Sequence, residues 1–132
     1  NKKHMLRAVY EGIVFSHVTH VKKLLRNREI PKSIRLSGGA ANSDVWVQIF
    51  ADALQIPIDV VGDKELGAQG AAMAAGIAAG IYKDYQEAVS RTVKITKTIY
   101  PRPEYKEIYE KKYAAYRAVI DGLSGAWEYF KN

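Results

Sequence analysis

Two adjacent glycines, Gly38 and Gly39, constrain this chain more than any other feature it carries. Residues 33–36 before them read as a short strand. After them the run Gly38-Gly39-Ala40-Ala41-Asn42-Ser43 is a small-residue turn, and its last two members are good N-cap residues for a helix that begins near Val45 and Trp46. The predicted order is strand, glycine turn, helix. Pro57 stops that helix, and residues 58–61 resemble a second strand, so the fold class expected is α/β.

Helical periodicity accounts for most of the rest. Met5, Val9, Ile13, Val18, Val21 and Leu25 recur at spacings of three to five, which predicts a long, largely buried first helix. Gly62-Asp63-Lys64 reads as a turn into a helix over residues 66–81. Gly67, Gly70, Gly76 and Gly80 give that helix poor intrinsic propensity, so it is expected to be held by close packing that only small side chains permit. Residues 84–92 suggest another short helix, and Val93, Ile95 and Ile99 alternate with polar residues as an extended arm would. After Pro101 and Pro103, the residues Tyr105, Tyr109, Tyr113, Tyr116, Ile120, Leu123, Trp127 and Phe130 follow at intervals of three and four. They predict one long C-terminal helix with an aromatic face. That face is either a docking surface whose hydroxyls reach the wet edge, or a stacking platform for sugar or bases.

Composition narrows the possible functions. With 132 residues, 48% hydrophobic and 26% charged, the chain is one globular domain's worth. Zero cysteines exclude a disulfide framework, a thiolate metal site and a Cys nucleophile. The formal charge of +6 is uneven: residues 1–35 hold nine Lys/Arg against two Asp/Glu, and the remainder is nearly balanced. Lys22, Lys23, Arg26 and Arg28 lack the neighbouring aromatics or groove-fitting motif of a nucleic-acid surface, and read instead as cations at the C-terminal end of a helix. No nucleic-acid partner and no membrane partner are expected. The longest low-charge stretch, residues 70–82, falls short of the ~20 apolar residues of a membrane span. Asn1-Lys2-Lys3-His4-Met5 leads into the helical pattern without an apolar signal core, so a cytoplasmic location is expected.

A strand that delivers paired glycines to the mouth of a helix makes a backbone surface that an anion or a flat ring can approach closely. The turn is neither the six-residue dinucleotide fingerprint nor a P-loop, so it is open to two readings, a tight connection or a nucleotide site. Asp44 and Asp52 belong to the helix that follows, and Asp59 and Asp63 flank the second strand. Asp52, one turn beyond Gln48, is expected to be a structural hydrogen-bond partner and not a general base. His17 and His20 lack a third ligand, so no metal site is expected in this segment.

The run from Gly38 to Ser43, then Trp46, Gln48, Ala51-Asp52, Ile56-Pro57, Glu65 and Gly70-Ala71-Ala72-Met73-Ala74-Ala75, resembles the C-terminal domain of the FGGY carbohydrate kinases, most of all the pentulose kinases. His4-Met5-Leu6-Arg7-Ala8-Val9-Tyr10-Glu11 is similar to the closing half of a family signature. The resemblance implies an actin-like ATPase domain of the ribonuclease-H type, here partial, with a long C-terminal helix. It implies transfer of the γ-phosphoryl group of ATP to a sugar hydroxyl, with Mg2+ held through the phosphates and through segments outside residues 1–132. By the same resemblance, Gly38 and Gly39 pass close to phosphates and ribose, Ala40 lines the adenine slot, and Asn42 and Ser43 sit where adenine is hydrogen-bonded. A Cβ at Gly39 is expected to clash with the turn or the ligand. The catalytic aspartate, phosphate-gripping turns and sugar-binding N-terminal domain are expected upstream of residue 1, so residues 1–132 alone are expected to be inactive. The partners implied are the remainder of the same kinase chain, a small sugar and a further copy in a homo-oligomer. The rival reading is a non-enzymatic interaction domain that uses the aromatic C-terminal helix.

Overall fold

The computed structural model describes residues 1–62 and 65–130. Asn1 caps the first helix, α1 (Lys2–Leu24), by accepting from the His4 N–H at 3.2 Å, and Lys22 and Lys23 lie in its last turn, where the dipole favours them. Strand β1 (Ile34–Leu36) follows, then a 3-10 turn over Gly39–Asn42 and helix α2 (Asp44–Leu54). Strand β2 (Ile58–Val61) pairs parallel to β1, with Ile34 opposite Ile58 and Leu36 opposite Val60. Helices α3 (Leu66–Ala78) and α4 (Tyr85–Thr92) intervene before β3 (Ile95–Ile99), which returns antiparallel to β2. The expected extended arm is therefore a full member of a three-stranded sheet of order β1-β2-β3, although Val93 stays with α4 as its C-cap. A 3-10 turn (Pro103–Tyr105) leads into α5 (Lys106–Gly122), and another 3-10 segment spans Ser124–Phe130.

Pro57 is not what ends α2. The helix stops at Gln55, a left-handed residue (φ 54°) whose own N–H reaches the Ala51 carbonyl at 2.8 Å, and Pro57 follows two residues later, a common place for proline after a cap. The Pro57 carbonyl accepts from the Ile34 N–H at 2.9 Å and so extends the β1-β2 pairing.

The core lies between the sheet and the layer of α1, α2 and α5. Val14, Val18, Val47, Ile49 and Ile58 are within 1% of full burial. Helix α1 corrects the expectation of a largely buried helix. Its buried residues are Glu11, Val14, Phe15 and Val18, whereas Met5, Val9 and Ile13 of the expected stripe are exposed. The face turned inward is set by the aromatic side chains of α5: Phe15 meets Tyr109, Tyr113 and Tyr116 at ring-centroid distances of 6.3, 5.9 and 5.6 Å. The tyrosine row is thus a docking face, and its hydroxyls reach polar partners at the edge. Tyr109 accepts from Arg7 Nη2 at 2.6 Å, and the Tyr113 hydroxyl lies 3.0 Å from that of Thr19.

Three further expectations are corrected. The C-terminal helix does not run through Phe130: it ends at Gly122, and Trp127 and Phe130 lie exposed on the 3-10 segment beyond it. Helix α3 ends at Ala78 rather than near residue 81, and Gly80 turns the chain at φ +74°. Nor is α3 held by close small-residue packing along its length. An added Cβ would meet nothing within 4 Å at Gly67 or Gly70, and only Gly76 is tight, with Tyr82 ring carbons 2.7 Å away. Of the expected turn Gly62-Asp63-Lys64, Asp63 and Lys64 lie outside the described residues. Asp59 sits inside β2 and not at its end, accepting from the hydroxyls of Ser33 and Thr98 at 2.5 Å each. These bonds, that of Ser33 foremost, hold its carboxyl below the usual range.

Two buried carboxylates tie the helices together. Asp52 is fully buried and accepts from Gln48 Nε2 (2.9 Å), the Arg102 backbone N–H (2.9 Å), Arg102 Nε (3.2 Å) and Arg102 Nη2 (2.6 Å). That is the structural role expected of it, with a partner fifty residues away that local spacing does not reveal. Glu11 receives Arg7 Nε at 2.8 Å and Lys112 Nζ at 2.9 and 2.8 Å. Burial alone would raise its pKa, but the Lys112 and Arg7 hydrogen bonds outweigh it and hold the carboxyl below the ordinary glutamate range.

Both anchors can be tested against an exposed ion pair. Arg102→Ala leaves a buried carboxylate without its cation, so it should cost about 2–4 kcal/mol in urea unfolding. Arg117→Ala, which removes an exposed i,i+4 pair with Asp121, should cost no more than about 0.5 kcal/mol. Because the folded-state pKa of Glu11 is depressed, its stabilisation is complete above the unfolded-state value and is lost as pH falls through the folded one. The stability difference between wild type and Glu11→Gln should therefore shrink as unfolding is repeated at successively lower pH. A difference that stays constant would show that Glu11 is not charged in the native state.

Candidate functional site

The turn between β1 and α2 is built from both ends. Gly38 adopts φ +80° and ψ −164°, a region open essentially to glycine alone. Its carbonyl accepts from the Ala41 N–H at 3.0 Å, and the Ala40 carbonyl accepts from the Ser43 N–H at 3.2 Å. Ala41 points into the core and is 7% exposed. Ser43 is extended, caps α2 by accepting from the Trp46 N–H at 3.4 Å, and gives its carbonyl to the Val47 N–H at 2.9 Å.

The five expected site residues are brought together. Gly38, Gly39 and Asn42 are exposed, Ala40 and Ser43 half-buried, so the turn offers a contiguous strip of backbone and short side chains at the mouth of α2. The clash expected of a Cβ at Gly39, with the turn or with the ligand, does not come from the turn. A Cβ on Gly39 would meet nothing within 4 Å, so the turn itself does not forbid a side chain there; the glycine that the backbone requires is Gly38.

Two features of the site escape a reading of the sequence. Ala41 is the buried anchor of the turn, and alternation within a run of small residues gives no signal of it. Asp44, in the first turn of α2, pairs with Lys97 of β3, a contact fixed only by the antiparallel return of that strand. Behind the mouth, Trp46 stacks on Tyr10 of α1 with centroids 4.7 Å apart and planes 15° apart. Among the described residues, no group of three or more His, Cys, Asp or Glu side chains is placed to hold a metal ion.

The family model for the FGGY family of carbohydrate kinases, C-terminal domain, matches residues 1–79. The chain belongs to this family. It is 36% identical over 124 residues to the L-xylulose/3-keto-L-gulonate kinase of Escherichia coli, covering 94% of this chain and 25% of that protein. To an autoinducer-2 kinase of Escherichia coli it is 32% identical over 126 residues, covering 95% and 24%. The crystal structure of ligand-bound xylulose kinase from Lactobacillus acidophilus superposes with a TM-score of 0.89 at 27% identity, covering 99% of this chain and 26% of that one. The chain therefore spans about a quarter of the length of the curated relatives it matches. Its architecture is that of the actin-like ATPase fold, with the strand, glycine turn and helix of this FGGY domain inside the matched residues and α5 beyond them.

The geometry of the turn predicts an asymmetry between its glycines. Gly38→Ala should destabilise the protein by about 1–3 kcal/mol, because alanine must enter a backbone region it avoids. Gly39→Ala should change stability by less than about 0.5 kcal/mol, since its Cβ enters open space. Thermal unfolding of both variants checks this, and equal losses would contradict the assigned backbone.

Proposed function

We propose that this chain is the adenosine-side part of an ATP-dependent carbohydrate kinase, which moves the γ-phosphoryl group of ATP to a sugar hydroxyl, a pentulose foremost. The observation that carries the reading is the mouth of α2. There a positive-φ glycine, an unobstructed Gly39 and a capping serine lie in sequence within the residues that match the carbohydrate-kinase family. ATP supplies the group transferred, and Mg2+ is shared through its phosphates and through other segments of the kinase.

Each residue has a task suited to its chemistry. Gly38 and Gly39 let the backbone approach ribose and phosphates at a distance that a side chain would prevent, and the N-terminal end of the helix favours negative charge there. Ala40 lines the adenine slot. Ser43 Oγ already accepts from the Trp46 N–H, which leaves its hydroxyl proton to donate to a ring nitrogen, and Asn42 beside it offers both a donor and an acceptor. Chemistry of this kind is mostly positioning and charge stabilisation, so a rigid mouth contributes without a reacting group of its own. The catalytic base and the sugar contacts are assigned to the remainder of the same chain, and residues 1–132 alone are inactive in this reading. The exposed apolar stripe Met5, Val9 and Ile13, and the buried Trp46 Nε1 that has no acceptor among the described residues, support packing against that remainder. A homo-oligomer in the cytoplasm completes the proposal.

Ser43→Ala tests the assignment. It should cost about 1 kcal/mol of stability as a lost N-cap. It should also cost about 0.5–1.5 kcal/mol of ATP affinity for one neutral hydrogen bond, with sugar affinity unchanged. The KM for ATP should rise several-fold while kcat stays within about a factor of two, because the lost bond is remote from the reacting phosphorus. A nucleotide with a different base should erase most of the difference from wild type. A variant that loses stability yet binds ATP as tightly as its parent would leave Ser43 a cap and nothing more.

A further inference from the structure

A cleft of about 330 Å3 lies along the flank of α2 and is lined by Arg7, Asp44, Val45, Gln48, Ile49 and Arg102. None of the five residues assigned to adenosine lines it. Its two arginines come from distant parts of the chain, and each is clamped from behind. Arg7 gives Nε to the buried Glu11 and Nη2 to the Tyr109 hydroxyl. Arg102 gives Nε and Nη2 to the fully buried Asp52 and stacks on the Tyr105 ring, its guanidinium carbon 4.1 Å from the centroid.

A guanidinium carries five N–H donors in a rigid fork. The clamps engage one edge of each fork, and among the described residues no hydrogen bond is made by either Nη1. Two planar cations with fixed orientation and unengaged donors on one cleft are pre-organised for a partner that accepts several hydrogen bonds at once. The charge balance points the same way. Glu11 is shared by Arg7 and Lys112, so that triad stays one unit positive, and Asp52 neutralises only Arg102. Asp44, the acid on the cleft wall, is paired with Lys97. The first turn of α2, with Asp44 and Val45 on the wall, adds the positive end of the helix dipole.

We propose that this cleft binds an oxyanion, the carboxylate or phosphate group of a small molecule, between Arg7 and Arg102. The proposal stands apart from the adenosine reading and does not need it. A ligand here would bridge α1, α2 and the segment that leads into α5.

Val45 gives a clean test because it is 58% exposed, lies on the cleft wall and takes no part in either clamp. Full-length kinase is titrated by calorimetry with inorganic phosphate and, separately, with malonate, at constant ionic strength and with a non-hydrolysable ATP analogue present at saturation. Wild type and Val45→Gln should show saturable binding. Val45→Glu should weaken it at least about tenfold by placing a like charge beside the ligand, and Val45→Lys should tighten it several-fold. The Lys variant keeps the test decisive if the Glu variant folds poorly. Binding of phosphate alone assigns the site to phosphorylated ligands, binding of malonate alone to carboxylates, and binding of both to oxyanions in general. No saturable binding to wild type, or equal affinities in the Gln, Glu and Lys variants, overturns the proposal.

Discussion

Asp52 has no exposure to solvent, and the arrangement of the helices depends on how its charge is met. A carboxylate withdrawn from water costs several kcal/mol unless paired and hydrogen-bonded. Its partners come from two places: Gln48 one turn earlier on α2, and both backbone and guanidinium of Arg102. Gln48 Nε2 also donates to the Tyr100 carbonyl at 3.0 Å. The chain leaving β3 is therefore pinned against α2 at two points before α5 begins. Where α5 starts decides which face it presents, and that face carries Tyr109, Tyr113 and Tyr116 onto Phe15.

Glu11 completes the frame at α1. It joins α1 to α5 through Lys112, while Arg7 carries the connection to Tyr109. Both carboxylates lie on the helix layer and neither lies at the mouth of α2. Helix α2 thus has two ends with separate tasks. Its second half is anchored by Asp52 and closed by Gln55, whose Nε2 donates to the Asp52 carbonyl at 2.7 Å. Its first residues are held by the Ser43 cap and the Asp44 pair with Lys97, and remain open to the surface.

What the sequence made legible follows the range of the forces involved. Strands β1 and β2, the turn and the start of α2 are local, and short apolar runs, glycines and capping residues announce them. The inward face of α1 is not local. Met5, Val9 and Ile13 keep a spacing of four and read as a stripe, yet the tyrosines of α5, about a hundred residues away, select Val14, Phe15 and Val18 instead. The end of α5 at Gly122 went unseen because the apolar spacing of three and four runs straight through it into the 3-10 segment, where glycine's low helix propensity and not the pattern decides. Asp52 was legible as a structural group from Gln48 alone, but Arg102 was not. Side-chain spacing could not separate Gly38 from Gly39 either, since only the backbone angle distinguishes the glycine that is required from the one that is merely permitted.

That distinction explains how an exposed turn can be fixed by its two ends and two backbone hydrogen bonds. On one side β1 is held by its pairing with β2, and on the other the buried Ala41 and the Ser43 cap hold the chain as it enters α2. Between these two fixed ends the path permits few conformations, and the unusual one falls on Gly38, where it costs least. Gly39 then needs no side chain to keep its place, and Ala40 adds only a methyl group packed against the core. A site that must present bare backbone to a ligand gains from such an arrangement, because the order is established before binding and the ligand does not have to impose it.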